Sequence, residues 1–203
     1  TPPKDPAKWH ALIAATLQHF TDRYGEAEVA TWYFEVWNEP NLSGFFTGTQ
    51  ADYFELYAQT ALAVKSVSEK YRVGGPASAG CAWVPELIAF CAERQVPIDF
   101  ISTHDYAVDV GHLDETGSAG TIFSHNPRSI YGNVLAVREQ ITASSRPELE
   151  LHFTEWSSSY TPTDPLHDSY HSAAFILDKL KRVGTAADSM SYWVFTDIFE
   201  DLF

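Results

Sequence analysis

The sequence predicts an α/β fold in which helices surround a parallel sheet, and three observations predict it. The hydrophobic pattern switches repeatedly between a helical stripe and a short apolar run, the signature of βα units. The short runs are apolar rather than strictly alternating, as expected when helices cover one face of a sheet and a barrel interior fills the other. Polar and aromatic clusters stand at the C-terminal end of every run: Asn38-Glu39-Pro40-Asn41, Gly74-Gly75-Pro76, His104-Asp105-Tyr106, Thr154-Glu155-Trp156, and Trp193 to Asp197. An α/β barrel places its chemistry at that edge, so five clusters on one rim point to a single shared site.

Each element has its own signal. Asp5-Pro6 starts a helix as cap and first-turn proline; Trp9, Leu12, Ile13, Leu17 and Phe20 form its stripe, and Gly25 stops it. A strand follows through Trp32–Val36. Thr49 and Asp52 make a capping-box-like start for a helix with stripe Leu56, Tyr57, Val64, Val67 and Tyr71. Arg72–Pro76 is a short strand, Val84–Gln95 a helix and Phe100–Thr103 a strand. Asn126-Pro127 is expected to cap a helix carrying Ile130, Val134, Val137 and Ile141. Leu149–Thr154 is a strand, Ser169–Val183 a helix closed by Gly184, and Met190–Phe195 the last strand. The total is five strands and five helices. The longest irregular stretch, about Ala107 to His125, is rich in Gly, Asp and His; a connection of that length reads as a functional loop forming one wall of the site.

Composition bounds the partners. With 203 residues and 45% hydrophobic content the chain can bury one full core, and one domain, residues 1–203, is expected. Net charge is −14, and the 13 Lys and Arg are scattered, so there is no electrostatic footprint for nucleic acid. No stretch approaches the roughly 20 apolar residues of a membrane span. Cys81 and Cys91 are the two cysteines, and buried free thiols are expected of them rather than a disulfide framework. No signal peptide is visible, but the chain opens at Thr1, so a cytoplasmic and a periplasmic or secreted location both stay open. The sequence is silent on oligomeric state.

The chemistry rests on Glu39 and Glu155, each at the end of a predicted strand. Glycoside hydrolysis needs one carboxyl group to protonate the leaving oxygen and a second to attack or to activate water. The first must hold its proton near neutral pH, which a nearby carboxylate and aromatic walls favour; the second must stay ionised, helped by donors such as Tyr106. Taken alone, a glutamate near a strand end is ordinarily a solvated residue or a cap. His104 alone reads as a satisfied structural histidine, Trp193 also reads as barrel packing, and His152, within a strand, reads as structural. Asp109, His112, Asp114, Glu115 and His125 match no metal signature, so neither metal nor cofactor is expected.

Trp37-Asn38-Glu39-Pro40-Asn41-Leu42, Gly74-Gly75-Pro76, His104-Asp105-Tyr106, Thr154-Glu155-Trp156 and Tyr192-Trp193 together resemble glycoside hydrolase family 39, in its β-xylosidase branch. The resemblance implies a retaining (β/α)8 TIM barrel with the acid/base after strand four and the nucleophile after strand seven. Trp32–Val36 then corresponds to strand four, Leu149–Thr154 to strand seven and Met190–Phe195 to strand eight, so the chain is expected to be a partial barrel truncated at both ends. It implies Glu39 as acid/base, Glu155 as nucleophile and Asn38 as the partner of the sugar 2-hydroxyl. His104 and Tyr106 are implied to bind substrate and orient the nucleophile, Trp193 to lie under the sugar ring, and Glu200 to bind sugar hydroxyls. Relatives often carry Glu-Glu where this chain has Glu200-Asp201, so a contact from Asp201 is not carried over.

The implied substrate is a xylo-oligosaccharide or small β-xyloside, cleaved at its non-reducing end. The family also contains α-L-iduronidases, which must bind a carboxylate; the predicted rim carries almost no basic residue beyond Arg128, and the net charge opposes an acidic sugar. An arabinosidase or other exo-glycosidase stays open. A non-catalytic sugar-binding module is the reading from another class, since five strands cannot close an eight-stranded barrel and would leave open sheet edges.

Overall fold

A computed structural model describes residues 1–110, 122–161 and 164–194. Its centre is a five-stranded sheet, β1 (Tyr33–Glu35), β2 (Arg72–Ser78), β3 (Phe100–Tyr106), β6 (Glu150–Ser157) and β7 (Ser189–Tyr192), in the order β1-β2-β3-β6-β7. Every pairing in it is parallel, so each crossover carries helix. This is a partial (β/α)8 barrel: five consecutive strands, each neighbouring the next in sequence order.

The helices are α1 (Pro6–Tyr24), the one-turn α2 (Glu26–Val29), α3 (Gln50–Val67), α4 (Val84–Arg94), α5 (Tyr131–Thr142) and α6 (Tyr170–Val183). Several ends follow the sequence signals. Asp5 accepts from the amides of Ala7 and Lys8, and Gly25 follows the last turn of α1. Thr49 and Asp52 form a reciprocal capping box at α3, a motif in which the cap alone is worth about 1 kcal/mol.

Some boundaries differ from the sequence reading. Asn126 does not cap α5; its side chain accepts from the Arg128 amide in a separate turn, and the helix begins only after Ile130, whose φ of 64° breaks helical geometry while its side chain enters the core. Tyr71 lies beyond α3, which Ser68 ends, but is fully buried. Leu12 is exposed on α1 rather than part of its packed stripe. Strands β2, β3 and β6 run two to three residues further toward the rim than their apolar runs, because the polar rim residues still pair. The stretch read as irregular contains a two-stranded ribbon, β4 (Val108–Val110) with β5 (Ile122–Phe123), while residues 111–121, with His112, Asp114 and Glu115, lie outside the described residues. Glu200, Asp201 and the end of the predicted last strand also lie outside them.

The two sheet faces have different jobs. On the outer face Phe153, Trp156, Ile101 and Val73 are buried beneath the helices, with the Trp156 ring 6.5 Å from Phe175 of α6. On the inner face Tyr33, Phe100 and His152 from β1, β3 and β6 meet ring to ring, at centroid distances of 4.7 to 5.4 Å. There the His152 ring contacts Ser189 at 2.7 Å and Glu150 at 3.2 Å, and Tyr33 donates to Glu150. His152 is therefore a satisfied structural residue at the lower end of the barrel. Cys81 and Cys91 are free thiols, and no described helix is long and apolar enough to cross a membrane.

Candidate active site

Two register irregularities shape the rim. Between β2 and β3, Pro76 pairs with Ser102 and Ser78 with Thr103, leaving Ala77 as an extra residue with φ 52°. Between β3 and β6, Thr103 pairs with Phe153 and His104 with Glu155, so Thr154 is the extra residue, and β7 skips the same place. A bulge re-aims the side chains that follow it. Simple alternation from Phe153 would send Glu155 to the helix-covered face; the bulge turns it inward, beside His104 and Tyr106.

Glu39 arrives differently. Trp37 and Glu39 have φ of 74° and 45°, in the left-handed region that costs a non-glycine residue on the order of 1 kcal/mol or more. The surroundings over-determine this turn. The Glu39 amide donates to the Ala77 carbonyl at 2.8 Å, the Trp37 indole donates to the Phe45 carbonyl at 3.2 Å, and Asn41 clips Ala79 twice, its Nδ2 donating to the carbonyl at 3.0 Å and its Oδ1 accepting from the amide at 2.9 Å. The bulged Ala77 thus supplies the acceptor that holds Glu39.

The Gly74-Gly75-Pro76 segment lets β2 pass between its neighbours. A Cβ on Gly74 would lie 2.3 Å from the Phe100 carbonyl oxygen, and one on Gly75 would lie 2.9 Å from the Tyr53 hydroxyl. That hydroxyl donates to the Val36 and Pro76 carbonyls, tying the end of β1 to β2 just below Glu39.

The result is a buried trio. His104 Nδ1 lies 3.1 Å from Glu39 Oε1 and 3.4 Å from Glu155 Oε2, and one oxygen of each glutamate lies within 4.8 Å of the other. Glu39 is 7% exposed and His104 2%. The Tyr106 hydroxyl donates to the other Glu155 oxygen, Oε1. Burial pushes the Glu155 carboxyl up from its ordinary value, against the downward pull of the Tyr106 hydroxyl and the His104 ring; the charges of Glu39 and Glu35 push it further up. The expectation that donors hold this carboxylate ionised is therefore met only in part: the donors are present, but desolvation outweighs them. The Tyr106 hydroxyl is itself pushed up by burial and by the Glu155 charge.

The remaining sequence candidates are spread around this trio. Asn38 is exposed at the rim, between the strained Trp37 and Glu39. Trp193 follows β7, its amide bonded to the Trp156 carbonyl, one residue past the Glu155 position of β6, and its side chain is half-exposed. Asp109 accepts from the Ser124 hydroxyl and the His125 amide, a loop-closing role.

Sequence reasoning missed three contributors. Asn41 was inside the quoted motif but had no role; Tyr160, whose ring meets Tyr106 edge-on at 5.7 Å, carries no sequence signal. Asp105 points away from the trio, accepts from Asn133 of α5 at 3.0 Å, and is pushed by burial up to about 7. Its place between His104 and Tyr106 was the available clue, since alternation puts it on the helix side.

The comparisons with known proteins agree over almost the whole chain. The family model described as glycosyl hydrolases family 39 matches residues 1–202. A beta-xylosidase of Geobacillus stearothermophilus is 44% identical over 206 residues, covering all of this chain and 41% of that protein. One from Caldicellulosiruptor saccharolyticus is 43% identical over 203 residues, covering 99% of this chain and 41% of its own length. The crystal structure of a monomeric beta-xylosidase from Caulobacter crescentus CB15 superposes with a TM-score of 0.91 at 53% identity, covering 97% of this chain and 40% of that one. The chain spans about two fifths of the length of these relatives.

Proposed function

The chain belongs to glycoside hydrolase family 39, and from that membership we propose that it carries the acid/base and nucleophile of a retaining β-xylosidase acting at the non-reducing end of β-1,4-xylo-oligosaccharides. The observation that carries the retaining chemistry is the short reach between the carboxylates, an oxygen of Glu39 lying within 4.8 Å of one of Glu155. Inverting enzymes separate the pair by roughly 6.5–9.5 Å to seat a water, and retaining ones by about 5–5.5 Å.

In this reading Glu155 attacks the anomeric carbon while Glu39 gives its proton to the departing glycosidic oxygen. The covalent xylosyl ester on Glu155 is then opened by a water whose proton goes to Glu39, which restores both groups. Tyr106 and His104 hold Glu155 so that Oε2 is aimed and Oε1 is held back. Sugar binding expels water and brings the Glu155 negative charge against the developing positive charge at the anomeric carbon, favouring its ionised form at the moment of attack. Asn38 at the rim is suited to the 2-hydroxyl and Trp193 to the sugar face, with Glu200 proposed from the motif alone.

A neutral pentose suits the site better than a uronic acid. The ion pairs of Glu39 and Glu155 among the described residues run to His104, and the Arg128 guanidinium is engaged at 5.8 Å over the Tyr131 ring. The test is hydrolysis of p-nitrophenyl β-D-xyloside followed by NMR. Early release of β-xylose supports double displacement on xylose; first-formed α-xylose, or turnover of an iduronide but no xyloside, overturns it.

A further inference from the structure

We propose that Glu39, His104 and Glu155 form a binding site for one divalent transition-metal ion of the Zn2+ class, and that the ion shuts the site reversibly. The metal-binding part stands on geometry alone; the shutting rests on the function proposed above.

His104 Nδ1 faces Glu39 Oε1 at 3.1 Å and Glu155 Oε2 at 3.4 Å, and it can carry at most one hydrogen toward the two carboxylates. One proton satisfies one of them well. A divalent ion at the same place satisfies both, and its donor set of one imidazole and two carboxylate oxygens is of the kind Zn2+ takes.

The spacing fits. With bonds of about 2.0–2.2 Å, two ligand atoms of a tetrahedral Zn2+ stand roughly 3.3–3.6 Å apart. One edge of the trio, 3.4 Å, falls in that range, the 3.1 Å edge lies just below it and the third lies within 4.8 Å, so a small side-chain rotation of one glutamate closes the set. Among the described residues this is the one group of His, Cys, Asp and Glu side chains close enough to converge on an ion.

An independent feature is the outer support. Ligating carboxylates are ordinarily held by hydrogen bonds to their free oxygen. The Tyr106 hydroxyl does this to Glu155 Oε1, leaving Oε2 directed at the ring nitrogen, while the Glu39 backbone is anchored to Ala77. His104 and Glu155 sit within paired strands and Glu39 in a turn tied to β2, so little ordering is left to do. The fourth position faces the space where a sugar would bind, so ion and sugar compete.

The experiment is a titration of the full chain, freed of metal, with Co2+ as a coloured stand-in for Zn2+. One equivalent should give a strong visible absorption that Zn2+ then bleaches. His104→Ala and Glu155→Gln should each weaken binding at least tenfold, and Tyr106→Phe by about tenfold to hundredfold. X-ray absorption of the Zn2+-loaded wild type, which needs no variant, should show one imidazole, oxygen neighbours and no sulfur. Zn2+ should raise the KM for p-nitrophenyl β-D-xyloside without lowering kcat, and a chelator should reverse this. Absence of the absorption band, two imidazoles or a thiolate at the metal, or unchanged affinity in folded His104→Ala would overturn the site. Binding as described with xyloside turnover unaffected would leave the metal site standing and sink its competition with the sugar.

Discussion

Tyr106 reaches Glu155 along a diagonal: the residue paired with Glu155 across the strands is His104, and Tyr106 stands two positions further along β3 when its hydroxyl donates to Oε1. Two inward residues of one strand thereby grip one carboxylate of the next, one oxygen each. That arrangement makes the consequences of removing either grip separable.

Tyr106→Phe should move the acid limb of the kcat/KM profile. The Tyr106 hydrogen bond lowers the Glu155 pKa against a larger upward push from burial, so deleting it raises that pKa and shifts the limb to higher pH. A pH–rate profile of the variant checks this, and a limb that stays put would remove Tyr106 from the ionisation of Glu155.

Glu155→Gly should abolish hydrolysis, with a loss of about 10^4-fold or more, because no group remains to form the covalent intermediate. Added azide should fill the vacated space and attack the opposite face from the departing aglycone, giving an inverted glycosyl azide. Near-normal turnover without azide would show that Glu155 is not the nucleophile.

Glu39→Ala should discriminate by leaving group. Loss of a general acid costs typically 10^2–10^4-fold, and the cost should be largest for xylobiose and smallest for an activated aryl xyloside, whose phenolate departs without protonation. Equal losses across the two substrates would argue for a binding role instead.

Asp105→Asn addresses stability rather than turnover. The native Asp105 holds its proton up to about 7, whereas the unfolded group gives it up near the ordinary 3.8. Its favourable contribution is complete below pH 3.8 and is lost as pH rises toward about 7, since the native state binds more protons than the unfolded one across that window. Roughly three pH units at 1.36 kcal/mol each make the effect on the order of 4 kcal/mol. Urea unfolding between pH 4 and pH 7.5 should show a falling stability in the wild type and a flatter one in Asp105→Asn. Parallel slopes would contradict the assignment.

Gly74→Ala should destabilise by about 1–3 kcal/mol, since the added methyl meets the Phe100 carbonyl oxygen at 2.3 Å and its ring at 2.6 Å, and the backbone atom cannot swing away. Thermal unfolding measures it, and a neutral result would mean β2 has room to shift.

The element order was legible because helix caps and apolar runs are local signals: Asp5-Pro6, the Thr49–Asp52 box and Ser169 with Gly184 all mark ends where the structure has them. Strand lengths were less legible. Rim residues such as His104, Asp105 and Tyr106 pair in the sheet while being polar, so hydropathy ends the strand before hydrogen bonding does. Asn126-Pro127 carried a good capping signature in a place where the chain turns once more before the helix, and Ile130, drawn into the core at positive φ, decided the start. Glu39 and Glu155 were identifiable from their motifs, but not the way they are aimed, because that depends on pairing between residues far apart in sequence, Ser78 with Thr103 beside the Ala77 bulge and His104 with Glu155 beside the Thr154 bulge.

The extra residue at Thr154 can be read as a change of parity. A regular strand assigns faces by odd and even position, and β6 enters with Phe153 on the helix side and leaves with Trp156 on that same side, three positions later, which an unbroken count forbids. One strand thus serves two masters: its odd-numbered start is committed to the core and its even-numbered Trp156 to the same core, with Glu155 freed between them. Deleting Thr154 would restore an ordinary count, keep Phe153, Glu155 and Trp156 on their present faces and leave Glu155 still opposite His104, since the residue removed has no partner of its own on β3. What a protein so altered would lose is the local bend and added twist that a bulge puts into its strand, so the spare residue sets the angle at which Glu155 meets His104 and not the position it pairs with.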